Sequence, residues 1–414
     1  MSKKSDKNLI VGLDIGTSKV VVIVGEIVEE TINIIGMGSH PSVGLRKGVV
    51  VNIEATTKSI YMAIEEAELM AGCQIYSVYT GIAGNHIKSL NSHGIVAIHD
   101  NEVTQADVDR VIEAAKAVAI PANQKILHIL PQQFIIDAQE GVREPIGMSG
   151  VRLEAEVHMV TGSVSAAQNI IKCVRSVPNH HLEVDDVILE QLASSYAVLT
   201  EDEKELGVCL IDIGGGTTDI AVFKQGAIRH TAVIPVAGDQ VTNDIAVALR
   251  IPTQNAETIK KEYGSALTRL VDPQQYFEVI GGFNDRSARQ IDCATLAEVI
   301  EPRYEELFLL VQAELRRHRL EECLGSGIVV TGGSSLMRGA IELAEDIFEM
   351  PVRLGSPRHV NGLEEIINNP IYATGVGLLL YGHNQQAERG PALSMSQSFP
   401  NVWMKMKRWF QGNF

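Results

Sequence analysis

Residues 208–223, Val-Cys-Leu-Ile-Asp-Ile-Gly-Gly-Gly-Thr-Thr-Asp-Ile-Ala-Val-Phe, constrain this chain more than any other stretch. The apolar run from Val208 to Ile211 reads as a buried strand ending at Asp212. Gly214, Gly215 and Gly216 then allow backbone angles closed to other residues and clear every Cβ from the turn. Their N–H groups can converge on an anion such as a phosphate. Hydroxyls Thr217 and Thr218 follow, and Asp212 at the strand end suits Mg²⁺ held through water, since that ion keeps most of its hydration shell. The plainer alternative is a hairpin with a glycine bulge.

A second copy of the pattern weakens that alternative. Residues 11–23 run strand, Asp14, Ile15, Gly16, Thr17, Ser18, Lys19, strand. Leu13 to Ser18 aligns with Ile211 to Thr218 once two extra glycines are allowed in the later copy. Lys19 then takes the place of Asp219 and brings a positive charge for a phosphate. Two such units half a chain apart predict an α/β fold duplicated about a ligand held between its halves. A third glycine stretch follows a strand at Gly332-Gly333-Ser334, where adenine or ribose can lie against bare backbone. The patterns G-x-x-x-x-G-K-[ST] and strand-linked G-x-G-x-x-G are absent, which excludes P-loop and Rossmann sites. The three elements together resemble the two phosphate loops and the adenosine loop of the actin, sugar-kinase and DnaK-type superfamily.

Between these loops the pattern predicts further elements. The first half should hold a helix over 53–71, a strand near 75–81, a helix over 165–177, a strand over 184–189 and a helix from Glu190 to about 200. Residues 84–162 read as a separate β-α-β-β module, its helix opened by a Thr104–Asp107 capping box. The second half should hold a strand near 226–236, helices from Gly238 and over 256–263, and a polar stretch at 264–295. A long helix over 296–320 is expected to kink or split at Pro302. Residues 339–348 should be helical, 352–354 a strand, and a last helix should start at Tyr372.

After Tyr381 the composition turns to Gly, Gln, Ser and Pro, and residues 382–400 read as a flexible linker. At the helical angle, Val402, Trp403, Met406, Trp409 and Phe410 of the last segment (401–414) share one face, while Lys405, Lys407 and Arg408 point elsewhere. Both tryptophans of the chain lie here, and a basic amphipathic helix of this kind suits an anionic membrane surface. Docking on a protein groove is the alternative.

A net charge of −16 argues against nucleic acid as a partner, because phosphate neutralisation needs clustered Lys and Arg. Five scattered cysteines suit reduced thiols, and the 12 histidines show no ligand spacing along the chain. No apolar run is long enough to span a bilayer.

The match narrows when the small module, the stretch Glu298-Val-Ile-Glu-Pro-Arg-Tyr304, the helix near Leu192–Glu203 and the amphipathic tail are taken together. These are similar to the FtsA family of bacterial actin-like division proteins. The resemblance implies a duplicated actin-like (ribonuclease H-like) two-lobe ATPase fold, ATP and Mg²⁺ as cofactors, and at most weak hydrolysis. It also implies filaments of the chain itself on the cytoplasmic face of the membrane at the division septum. Such filaments anchor the tubulin-like FtsZ through its C-terminal tail and recruit later division proteins. Carried onto this sequence, it assigns subdomain IA to 8–83, 163–204 and 371–381. Subdomain IC is 84–162, IIA is 205–225 and 306–370, and IIB is 226–305. Asp14, Gly16, Thr17, Ser18 and Lys19 become the first phosphate loop, and Asp212, Gly214, Gly215, Gly216, Thr217 and Thr218 the second. Gly332, Gly333 and Ser334, with Gly238, Glu257 and Lys260, would hold the adenosine. Asp14 and Asp212 would carry Mg²⁺, Glu190 would orient water, and Arg303 (preferred over Arg286 and Arg289) would meet the FtsZ tail. The competing readings are a small-molecule kinase or a chaperone ATPase of the same superfamily; a type IV pilus assembly relative is the nearest confounder.

Overall fold

The computed structural model of the protein describes residues 9–280 and 288–389. The first half opens with an antiparallel meander of β1 (Leu9–Ile15), β2 (Lys19–Val28) and β3 (Thr31–Pro41), followed by the small ladder of β4 (Leu45–Arg46) and β5 (Val49–Val50). Asn52 caps α1 (Ile53–Ala71), its side-chain oxygen accepting from the Ala55 amide at 3.0 Å. Then β6 (Ser77–Ile82) pairs parallel with β1.

A separate module departs here: β7 (Lys88–Ala97), α2 (Gln105–Ala115), β8 (Gln124–Ile136), β9 (Gln139–Val142) and β10 (Arg152–Ser163). Its four strands form one sheet in the order β7-β10-β8-β9, and α2 closes a core around Phe134, Leu153 and Met159. The Thr104–Asp107 capping box is present at the start of α2. The chain returns through α3 (Val164–Arg175), β11 (Glu183–Leu189), α4 (Glu190–Val198) and α5 (Glu201–Leu206).

The second half repeats the plan. A meander of β12 (Val208–Ile213), β13 (Thr218–Lys224) and β14 (Ala227–Ile234) is followed by α6 (Gly238–Leu249), α7 (Thr253–Tyr263) and the hairpin β15 (Tyr276–Ile280) and β16 (Ala288–Asp292). Then come α8 (Cys293–Arg317), β17 (Ile328–Thr331), α9 (Ala340–Phe348), β18 (Val352–Leu354), β19 (Val360–Gly362), α10 (Glu364–Ile367) and α11 (Ala373–Arg389). The two main sheets run β11-β6-β1-β2-β3-β19 and β14-β13-β12-β17-β18. Apart from β19, each is a three-strand meander extended by two parallel strands, so the duplication seen in the two hairpins extends to the whole lobe.

Helix α4 lies between the lobes, against β6 and β11 on one side and β12 and β13 on the other. β12 is buried along its whole length: Val208 and Leu210 join the first core, while Cys209, Ile211 and Ile213 join the second. A strand covered on both faces must be apolar throughout, which is why this run carries no alternation.

Several expectations need correction. Helix α8 passes through Pro302 unbroken. Glu298, whose carbonyl loses its partner there, and Pro302 itself are both exposed, on the side of the helix open to water, while Ile300, Tyr304 and Phe308 bury the opposite face. Helix α11 continues to Arg389, so the stretch expected as linker from residue 382 begins as helix. Gln, Ala, Glu and Arg there are good helix formers, and an established helix extends at little cost. Helix α5, strand β9 and the β15–β16 hairpin were not foreseen. The rest of the linker, the amphipathic segment 401–414 and Arg286 lie outside the described residues.

Candidate functional site

The two hairpins set the floor of a cleft of about 590 Å³ between the lobes. Their registers match strand for strand: Ile15 pairs with Val20 as Ile213 pairs with Thr218. Each turn closes in the same way, Gly16 N donating to Lys19 O at 3.1 Å and Gly214 N to Thr217 O at 2.9 Å. The loops are therefore equal in length and need no two-glycine insertion. Lys19 occupies the place of Thr217, and Val21 that of Asp219, which corrects the alignment made from the sequence. The loops also touch across the cleft. A Cβ on Gly215 would stand 2.9 Å from Ser18 Cβ, and one on Gly216 would stand 2.5 Å from Thr17 Oγ1. Close approach of two backbones, as much as any ligand, forbids side chains there.

Four carboxylates line the floor: Asp14, Glu190, Asp212 and Asp219. Ser194 Oγ donates to Asp212 Oδ2 at 2.5 Å, and Thr374 Oγ1 to the same oxygen at 3.3 Å. Thr217 Oγ1 donates to Asp219 Oδ2 at 2.9 Å, whereas Asp219 Oδ1 is buried without a hydrogen-bond partner among the described residues. Burial pushes the Asp14 carboxyl up to about 7, against the pull of Lys19 and with the push of Asp212. Asp219 is raised to about 8 by burial and by Asp212. Burial, with Asp14, Asp219 and Asp212 around it, lifts Glu190 well above the usual carboxylate range. Burial also lifts Asp212, against the hydroxyls of Ser194 and Thr374. Lys19, lowered to about 8 by burial although Asp14 draws it up, stands 4.4 Å from the ring centre of Tyr372. One lysine among four acids leaves the floor short of positive charge.

Gly332 has φ 87°, and a Cβ there would stand 2.4 Å from Asp212 Oδ1. The carboxylate side of the site thus fixes this glycine, which the sequence suggested for the adenosine side. Gly333 is open, its nearest potential neighbour being Ile371 Cγ1 at 3.6 Å. Ser334 Oγ donates to Gly214 O at 2.8 Å and Tyr304 OH to Ser334 O at 2.8 Å, tying the third loop to the second hairpin and to α8. The facing wall comes from α7, where Lys260 Nζ meets Glu257 Oε2 at 2.6 Å, Thr242 Oγ1 at 2.8 Å and Gly238 O at 3.1 Å.

Of the residues singled out in the sequence, Asp14, Gly16, Thr17, Ser18, Lys19, Glu190, Asp212, Gly214, Gly215, Gly216, Thr217, Glu257, Lys260, Gly332, Gly333 and Ser334 line this cleft. Thr218 does not: it is fully buried in β13 and donates to the Val236 carbonyl at 2.8 Å. Gly238 stands behind the wall, its amide donating to Gly214 O at 3.2 Å. Arg303 lies outside the cleft and is already engaged, by Asp244 at 2.6 and 3.1 Å and by Glu306. Arg289 donates to the Leu249 carbonyl at 2.7 Å. The sequence did not single out Ser194, Thr374, Asp239, Tyr304 or Asp219 for the site. The signal for Asp219 was present, since it is an acid opening an apolar strand and pairs directly with Asp212.

A family model for cell division protein FtsA matches residues 209–377, and one for the SHS2 domain inserted in FtsA matches 84–161. The cell division protein FtsA of Pseudomonas aeruginosa is 61% identical over 421 residues, covering 100% of both chains. Among solved structures, the PilM–PilN type IV pilus biogenesis complex superposes with a TM-score of 0.66 at 18% identity, over 90% of this chain and 98% of that one. MreB5 of Spiroplasma citri bound to ADP gives 0.57 at 16% identity, over 93% and 100%. At those identities the structures speak to the fold alone, and the fold is actin-like with an inserted SHS2 module.

Proposed function

The chain belongs to the FtsA family of cell division proteins, and we propose that it is an ATP-dependent filament former that links FtsZ to the membrane. The observation that carries the nucleotide part is the meeting of two matched hairpin loops over a floor of buried carboxylates. The amides of Thr17, Ser18, Gly215 and Gly216 sit at the loop tips, where phosphate oxygens would meet them, and Lys19 adds charge from the first loop. A set of buried carboxylate oxygens with one nearby lysine fits Mg²⁺, which takes hard oxygen donors and retains water; Asp14 and Asp212 would hold it. Bound there, the ion would offset negative charge on both the phosphates and the protein. Glu190 tends to keep its proton among its acidic neighbours. Among the described residues no His or Lys of the cleft is placed as a general base, so slow hydrolysis, with ATP acting mainly as a structural switch, is part of this reading. MreB5 of Spiroplasma citri, which shares the fold, was solved bound to ADP.

The membrane part rests on the amphipathic pattern of residues 401–414 and on anionic lipid as its target. No helix among the described residues is long and apolar enough to cross a membrane. The FtsZ tail would bind the second lobe, where Arg303 must exchange Asp244 and Glu306 for the carboxylates of the peptide. Later division proteins would dock on the module at 84–162.

The test is co-sedimentation with anionic vesicles in the presence of ATP, comparing the intact chain with one truncated after Arg389. Cutting earlier would remove the end of α11. The intact chain should pellet, and the truncated chain should stay soluble while still binding ATP. If both stay soluble, the anchor is lost from the proposal and a phosphoacceptor screen tests the kinase alternative; if the intact chain binds no nucleotide, both the switch and the kinase reading are lost.

A further inference from the structure

Away from the cleft lining, His230 of β14 meets Glu314 of α8 and His318 just beyond it. His230 Nε2 stands 3.0 Å and His318 Nε2 3.2 Å from the same oxygen, Glu314 Oε1. The three potential ligand atoms lie within 4.8 Å of one another, and among the described residues no other trio of His, Cys or acidic side chains does so. The two imidazole rings are 4.1 Å apart with 30° between their planes. The sequence could not show this grouping, since the strand histidine lies 84 residues before the glutamate.

We propose that His230, Glu314 and His318 form a divalent transition-metal site, with Zn²⁺ as the ion it fits best. Two imidazoles and one carboxylate are a donor set zinc takes in tetrahedral sites that leave a fourth position to water. Imidazole disfavours Mg²⁺ and Ca²⁺. Metal–ligand bonds of about 2.0–2.2 Å put tetrahedral ligand atoms roughly 3.3–3.5 Å apart, so the two distances to Oε1 need to open by a few tenths of an ångström and the two rings must splay from their present 4.1 Å separation. His318 is 41% exposed as a side chain and His230 12%, so water can reach the site from the His318 side. His318 also caps the end of α8, where the helix dipole favours a cation. Arg317 opposes binding because its charge reaches His230. Neighbouring Arg316 is engaged by Glu321 at 3.0 Å. The ion would clamp the end of α8 to the edge strand β14.

The full-length chain, stripped with EDTA, should bind one Zn²⁺ by calorimetry and melt at a higher temperature with the metal. His318→Ala should weaken binding about tenfold or more and abolish the thermal shift. Co²⁺ in place of Zn²⁺ should give a tetrahedral d–d spectrum without thiolate charge transfer, which separates this site from the five cysteines. Circular dichroism checks that the exposed His318→Ala change leaves the fold intact; Glu314→Gln, which keeps the shape, makes the same comparison if it does not. The proposal is overturned if the intact chain binds no Zn²⁺, if the variants bind it equally well, or if the cobalt spectrum shows thiolate ligation.

Discussion

Asp219 faces Asp212 directly across the second hairpin, and each is buried beneath loops that carry one lysine. The folded-state carboxyls of Asp14 and Asp219, at about 7 and about 8, lie above the ordinary 3.8. Between those limits the folded chain keeps protons that the unfolded chain has released, so their contribution to stability is full below about pH 4 and is lost as pH rises through 7 to 8. Asp219→Asn should therefore flatten the fall in melting temperature between pH 5 and 8, read by scanning calorimetry in metal-free buffer. An unchanged slope would mean that Asp219 is not strained by its surroundings. For Lys19, a charge-assisted bond of ~1.5–3 kcal/mol to phosphate predicts that Lys19→Ala weakens ATP binding about ten- to hundredfold, measured with a fluorescent analogue. The loop glycines, Thr17, Thr217 and Lys19 line the cleft, from which Thr218 turns away; they were legible in the sequence because turn chemistry is local. Ser194 and Thr374 were not, because 180 residues separate two hydroxyls that meet only through packing.

Helix α11 packs on α4 at Gly377, where a Cβ would stand 1.9 Å from the Ala193 carbonyl oxygen. Gly377→Ala should cost about 1–3 kcal/mol through overpacking, lowering the melting temperature by ~2–4 °C for each kcal/mol. No shift in a thermal melt would mean that the two helices can separate freely. The end of this helix did not announce itself in the sequence: polar composition read as linker where good helix formers extend a packed helix. Pro302 misled in the opposite direction. A proline signals a missing donor, and the sequence does not say whether the orphaned carbonyl will face water or core.

The duplicated lobes and the inserted module were visible as repeats and as a change of texture; how they dock was not. The module seals the backbone of β14, an edge strand of its sheet, through side chains. Gln132 Nε2 donates to Ile228 O at 2.9 Å, Ser89 Oγ donates to Thr231 O at 2.8 Å, and the His158 ring meets Thr231 Oγ1 at 2.9 Å. Gln132→Leu would leave the Ile228 carbonyl without its buried donor at a cost of about 1–3 kcal/mol, and limited proteolysis should then cut between module and lobe sooner than in the parent chain. Equal digestion rates would show that the seam contributes little. Helix α11 joins two distant places: it leads to the chain's terminal segment at one end, and at the other Thr374 bonds Asp212 on the cleft floor. The last helix and the carboxylates of the cleft floor thus share one hydroxyl, and the packing of the one sets the bonding of the other.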